Sequence, residues 1–332
     1  STTAGAVTAT AAETLLGYAL GAVATPTGAD GTTISGTAST AVSLNVAAAS
    51  GLLAGQIIRL GAKNDGRGDG QPAVVSSHGT SVIALKTAAP AAMNVAADVV
   101  YTSIMVHTVE STCTTTPLRM FVKTADTSWC LHGCFIKALS FNGGAPGQIA
   151  KWQFTIGVSW MEPISTTFPD TTTTAAWTTN AVPTAAGSVF MNAYGTTTRA
   201  TLTARAITIG ITLGVQPVMG YNGIDSSQMI VGASRIPDDI KVSLTVDAEG
   251  DSATPTWWSA WAANLRRHLL IAWSVGNGST LSCYFPNLAW TGKQPTQMDM
   301  EGLNRVGLEF VAGTDTTGAT DLARSAMRWG LA

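Results

Sequence analysis

The sequence predicts a mainly β protein built on long antiparallel hairpins with one wet face, and three observations carry that expectation. From Ala150 to Trp160 every second residue is apolar (Ala150, Trp152, Phe154, Ile156, Val158, Trp160), while Lys151, Gln153, Thr155, Gly157 and Ser159 between them are polar or small. A period of two marks a half-buried strand. The pattern recurs at Ile207, Ile209, Ile211, Leu213 and Val215, with Thr208, Gly210, Thr212 and Gly214 opposite, and again at Val242, Leu244 and Val246. Composition supplies the third observation. Residues are 45% hydrophobic, which excludes a disordered chain, but only 11% charged, against roughly 25% in an ordinary globular domain. A surface so poor in charge is expected to be covered by sister subunits.

Taken in order, residues 1–30 are small and polar, with a short helix expected from Glu13 to Leu20. Such a segment has few large side chains to offset its ordering entropy, so it reads as an arm that orders only against a neighbour. Residues 31–102 read as an inserted small β module, a barrel or a sandwich. Val42, Leu44 and Val46 alternate, Gly51 and Gly55 frame a turn, and Ile58 with Leu60, Val82–Leu85 and Val99–Thr102 supply further short strands. Its strands are its own, so it is expected to face outward and to be dispensable. The loop Asn64–Gly70 holds Arg67-Gly68-Asp69, but lacks the spacing and distal Glu of a calcium loop, and reads as a solvated turn.

Residues 103–198 form a first module around a hairpin. One arm carries Leu131, Phe135, Leu139 and Phe141, the other runs to Trp160, and Asn142–Gly147 supplies glycine and proline for the reversal. The Thr-rich stretch Thr166–Gly187, with Phe168, Trp177 and Phe190 interspersed, reads as a long exposed loop. Residues 199–332 form a second module with a C-terminal arm. In it Leu202, Ala204 and Ala206 fall out of phase with Ile207, which implies a β-bulge near Ala206. One helix is expected from Thr254, the N-cap before Pro255, to about His268, with Trp257, Trp258, Trp261 and Leu265 at helical spacing. A hairpin, Leu269–Val275 and Leu281–Phe285, turns at Gly276–Ser279, and Val306, Leu308 and Phe310 end the sheet.

Two stretches resemble a known family. Leu131-His132-Gly133-Cys134, Ala138-Leu139-Ser140-Phe141, Gly147-Gln148-Ile149 and Trp152-Gln153-Phe154 are similar to a pattern in tail tube proteins of phages with long non-contractile tails. Tyr284-Phe285-Pro286-Asn287, Met300-Glu301-Gly302-Leu303 and Leu308-Glu309-Phe310 resemble that family's closing strands. The resemblance covers about a third of the chain. It implies a β-sandwich flanked by a helix, whose hairpins join those of neighbours around a DNA channel. The chain exceeds one such module, so the resemblance implies an insert and leaves open a duplication. The implied subunit is a structural virion protein assembled in the host cytoplasm. Six modules close a ring, as a homohexamer or as a homotrimer of duplicated modules; stacked rings meet tail terminator and baseplate proteins and pass DNA without gripping it.

Chemistry offers little else. A net charge of -2 gives no basic footprint for nucleic acid. No apolar run reaches the ~20 residues of a membrane span; the longest, Leu15–Ala24, has no Lys or Arg before it and does not read as a leader. His78, His107, His132 and His268 have no carboxylate at strand or helix spacing, and no hydrolase, P-loop, metalloprotease or dinucleotide motif occurs. No catalytic activity and no cofactor are expected. Cys130, His132 and Cys134 share a strand face, but at ~3.3 Å per residue the two sulfurs start about 13 Å apart, too far for one zinc. They read as buried thiols, and no metal is expected. Asn277-Gly278-Ser279 reads as a turn rather than a glycosylation site. The tryptophans of the helix could stack on a sugar, and with Arg-Gly-Asp they define the alternative function, a carbohydrate- or cell-surface-binding module such as an adhesin or decoration protein. Core packing is the simpler account of Trp257, Trp258 and Trp261, and core or interface packing that of Trp152, Phe154 and Trp160.

If the hairpins line a channel, their wet faces identify its lining. The candidates are Lys151, Gln153, Thr155 and Ser159, then Thr208 and Thr212, then Lys241, Ser243, Thr245 and Asp247. The two lysines fit least well, since each cation that meets phosphate strengthens the grip on DNA.

Overall fold

A computed structural model of the chain describes residues 11–28, 31–49, 51–62, 71–89, 98–109, 113–115, 118–123, 127–143, 150–164, 187–219, 230–247, 254–274, 280–300 and 303–331. The fold is mainly β, as the alternation predicts. The chain opens with α1 (Ala11–Leu20) and β1 (Gly21–Ala24). Six strands follow: β2 (Thr32–Thr40), β3 (Ser43–Val46), β4 (Ile57–Ala62), β5 (Gln71–His78), β6 (Val82–Leu85) and β7 (Asp98–Tyr101). They close into a barrel in the order β2-β3-β6-β5-β4-β7, which decides between barrel and sandwich. Leu44, Ile58, Leu60, Val75, Ile83 and Val100 fill it.

Beyond the barrel come β8 (Ile104–Thr108), β9 (Cys113–Thr115), β10 (Leu118–Lys123), β11 (Ser128–Asn142), β12 (Lys151–Gly157), β13 (Trp160–Pro163), β14 (Gly187–Ala193), β15 (Ala204–Met219) and β16 (Ile230–Asp247). The rest are α2 (Thr254–Ala262), β17 (Arg267–Ser274), β18 (Thr280–Trp290), β19 (Thr296–Met300), β20 (Leu303–Gly313), α3 (Asp321–Arg324) and β21 (Arg328–Leu331). One branch of sheet runs β12-β11-β15-β16-β20-β19, and another β14-β17-β18-β21-β8-β1. Strand β18 joins them, because Asn287–Trp290 pairs with the end of β20. Strands of residues 103–198 and 199–332 therefore share both branches, interleaving in the second, and the two stretches do not form separate sheets.

The apolar faces of the branches meet in one core. Phe141 of the first lies 5.0 Å from both Trp273 and Trp329 of the second, and Trp152 lies 4.4 Å from Trp329. Ile209, Val242, Leu308 and Phe310 back onto Leu269, Ile271, Cys283 and Phe285 in the same cluster. The second branch is covered on its other face too. Phe190, Leu270 and Tyr284 pack with Ile57 and Val74 on the outside of the barrel. Burial on both faces explains why Leu269-Leu270-Ile271-Ala272-Trp273 reads as a continuous apolar run rather than an alternation. The layers thus run barrel, second branch, core, first branch.

Buried polar groups fasten the barrel down. Arg59 donates to the carbonyls of Trp273 (2.8 Å) and Leu281 (3.3 Å) and to Ser282 Oγ (3.0 Å). Arg199 donates to the Pro72 carbonyl (2.7 Å) and Gln71 Oε1 (3.0 Å) while lying 3.9 Å over the Phe190 ring. Lys86 and Arg328 both pair with the fully buried Asp315. Excising residues 31–102 would uncover Phe190, Leu270 and Tyr284 and leave Asp315 without Lys86. The expectation of a dispensable module does not survive this junction.

Three local expectations change. The N-terminal arm packs on its own chain: Leu16, Ala19 and Leu20 enter the core, and β1 pairs with β8. Helix α2 stops at Ala262, short of His268. Asn264 adopts φ 49°, its N–H bonds the Trp261 carbonyl and that of Leu265 bonds Ala260, which closes the helix and leaves Leu265 half exposed. Phe190 sits buried in β14, not in a loop. The bulge near Ala206 is present, as a register shift between Ala204 and Ala206. Arg67-Gly68-Asp69, the Asn277 sequon, and Phe168 and Trp177 lie outside the described residues.

Candidate functional site

The outer face of the first branch is the largest surface on which sequence-predicted residues converge. Register lines them up in rows across the strands. Lys151, Asn142, Thr208, Ser243 and Glu309 form one row; Gln153, Ser140, Gly210 and Lys241 the next; Thr155, Ala138 and Thr212 a third. Lys151, Gln153, Thr155, Thr208, Thr212 and Lys241 are exposed, and Ser243 and Thr245 half-buried. Asp247 continues the parity opposite Arg305. The rows exist because Leu139, Phe141, Ile209, Ile211, Val242 and Leu244 alternate with them and are drawn into the core.

Ala138 and Gly210 lack side chains long enough to fill the middle of this face. A depression of about 260 Å³ results, lined also by Ser140, Gln153, Thr155, Thr212 and Lys241. A Cβ on Gly210 would meet nothing within 4 Å. Hydroxyls and amides dominate the face. Glu309, the acid of the first row, is paired with Lys293 at 2.9 Å, and register puts a second acid, Asp239, opposite Thr212 in the third.

Ser159 departs from the row. Strand β12 ends at Gly157, which passes under Phe135 so closely that a Cβ would lie 2.6 Å from its Cζ. The chain then steps to β13, which pairs with the earlier half of β11. The expected single strand Ala150–Trp160 is therefore two, with Val158 exposed at the step. The Ser159 N–H donates to the His132 carbonyl, and its Oγ is buried with no partner among the described residues.

The aromatic residues differ in burial. Trp257 is buried with the Arg267 guanidinium 5.6 Å over its ring, and Trp152, Phe154, Trp258 and Trp261 are half-buried against the core. Trp160 lies 5.0 Å from the His132 ring.

The histidines divide. His78 is exposed; His107 is buried with Nδ1 3.0 Å from the Thr108 carbonyl; burial, helped by the charges of Lys86 and Arg267, pushes His268 down to about 4. His132 has a carboxylate partner that linear spacing missed: its Nε2 lies 2.9 Å from Glu162 Oε1. The signal was present in the hairpin, because extending the register from Phe135 opposite Gly157 puts Glu162 opposite Cys130. Burial raises the thiols of Cys134 and Cys283 above their ordinary value, as for buried structural cysteines. No helix among the described residues is long and apolar enough to cross a membrane. No protein-family model matches this sequence, and no curated protein is significantly similar to it.

Proposed function

We propose that the chain is a self-assembling structural subunit, a tail tube protein of a long-tailed phage, whose rings stack into a channel for DNA. The observation that carries the reading is the broad outer face of β12, β11, β15 and β16, rich in hydroxyl and amide groups and backed along its whole width by the core. A polyanion slides past such a face without the counterion release that each Lys or Arg contact adds to binding. Two further features support it. Among the described residues β12 pairs only with β11 and β19 only with β20, so the sheet ends in edges that a neighbour's strand can cover. The barrel lies on the far side of the second branch, where it would decorate an outer wall without obstructing the channel.

In this reading Lys151 and Lys241 stand at the channel lining. Copies of the chain close the ring, as a hexamer or a trimer, between terminator and baseplate proteins at the two ends of a virion tail. Electron microscopy of the purified protein tests it: rings or tubes of one diameter are expected. A protein that stays monomeric at high concentration and in intact particles would overturn it.

A further inference from the structure

We propose that the three-stranded tongue of β10, β11 and β13 holds a late first-row divalent metal, Zn²⁺ foremost, on Cys130, His132 and Glu162. Cys130 Sγ, His132 Nε2 and a Glu162 oxygen all lie within 4.8 Å of one another, with the imidazole and carboxylate at 2.9 Å. Tetrahedral zinc with bonds of about 2.0–2.3 Å asks for ligand atoms roughly 3.3–3.7 Å apart. The gap is of a size that side-chain rotation is expected to close. Cys130 and His132 project from the same face of β11, and β13 delivers Glu162 directly opposite Cys130. The pair of sulfurs that strand geometry excludes is not needed, because the third ligand comes from the neighbouring strand.

The donor set selects the metal class. One thiolate with one imidazole favours zinc and its neighbours over magnesium and calcium, which prefer oxygen. Cys130 is 1% and His132 6% exposed, so two ligands are held in place by packing, and Trp160 braces the His132 ring at 5.0 Å. Glu162 is half exposed, its side chain 39% accessible, which leaves a fourth position for water. Arg119 Nε donates to Cys130 Sγ at 3.0 Å, and the guanidinium stands 4.0 Å from Glu162. That side chain is 60% exposed and lies 5.4 Å over the Phe121 ring, and metal binding would displace it from the two ligands. A cation occupies the position a metal would take, as the two acceptors require. Binding converts the Cys130 thiol to thiolate and releases one proton to solvent, while His132 binds as the neutral imidazole. The inference stands apart from the reading of the polar face.

Cobalt titration of untagged, chelator-stripped protein tests the site. One equivalent of Co²⁺ is expected to give a thiolate-to-cobalt charge-transfer band and the visible bands of a tetrahedral centre, both erased by Zn²⁺. Cys130→Ser removes the charge-transfer band. Glu162→Gln, at a half-exposed position, weakens cobalt about tenfold or more. Arg119→Ala binds at least as tightly as the wild type, because it removes the competing cation, whereas a purely hydrogen-bonded cluster predicts only lost stability. Absence of the charge-transfer band at several equivalents of cobalt, or a band that persists in both Cys130→Ser and Glu162→Gln, overturns the proposal.

Discussion

Acidification should loosen the junction between barrel and sandwich, and His268 sets the size of the effect. Its side chain is 2% exposed, its Nε2 has no partner among the described residues, and Lys86 and Arg267 add positive charge nearby. Burial therefore holds the imidazole at about 4, against an ordinary value of 6.5. Since the folded value is the lower one, the unfolded chain takes up a proton first as pH falls. Stability is complete above about pH 6.5 and declines until the folded protein also protonates near 4. At 1.36 kcal/mol per unit the loss is about 2 kcal/mol at pH 5 and about 3 kcal/mol below pH 4. His107, also lowered by burial, acts in the same direction. Urea unfolding at pH 7, 6 and 5, below the concentration of assembly, measures it. His268→Leu removes the titrating group and an unsatisfied nitrogen, and should shrink the difference between pH 7 and pH 5 by about 2 kcal/mol. An unchanged difference in the variant would refute the reasoning.

Asp315→Asn leaves Arg328 buried and Lys86 half-buried without their shared carboxylate, and should cost about 3 kcal/mol in the same unfolding assay. Burial alone would raise that carboxyl, but hydrogen bonds from Lys86 and Thr317 and the Lys86 charge hold it below the usual range. Alanine at Gly157 and at Gly210 should part company: the first collides with Phe135 and Lys137 and lowers the melting temperature, while the second points into open space and leaves it unchanged or slightly raised. Replacing Thr155 and Thr212 together by Lys, both exposed and on one row, should preserve assembly yet slow DNA ejection from intact particles; unchanged ejection kinetics would count against a channel lining.

Alternation made the first branch legible. Strands β12, β15 and β16 have one wet and one dry face, and for such strands the period of two fixes both their existence and which side chains go inward. It worked less well wherever burial is two-sided. Phe190 in β14 lacks an alternating context, because one face meets the sandwich core and the other the barrel. Strands β2 and β5 of the barrel escaped notice for a related reason: Thr, Ser and Ala dominate β2, and Pro72 interrupts the pattern of β5. Chain-order division also misled. Residues on either side of position 199 look like successive modules, yet β8 pairs with β21 and β14 with β17, pairings between residues far apart in sequence that carry no local signature. Glu162 is the opposite case, legible by continuing one hairpin's register past the glycine that breaks its strand.

The most direct test of the channel reading is a cryo-electron microscopy reconstruction of the assembled protein at side-chain detail, viewed down the ring axis. Rings of three or six copies are expected, with Gln153, Thr155, Thr208 and Thr212 on the inner wall, β12 of each subunit covered by a neighbour, and the barrel outermost. Thr155 and Thr212 on the outer wall, or a barrel filling the lumen, would contradict it.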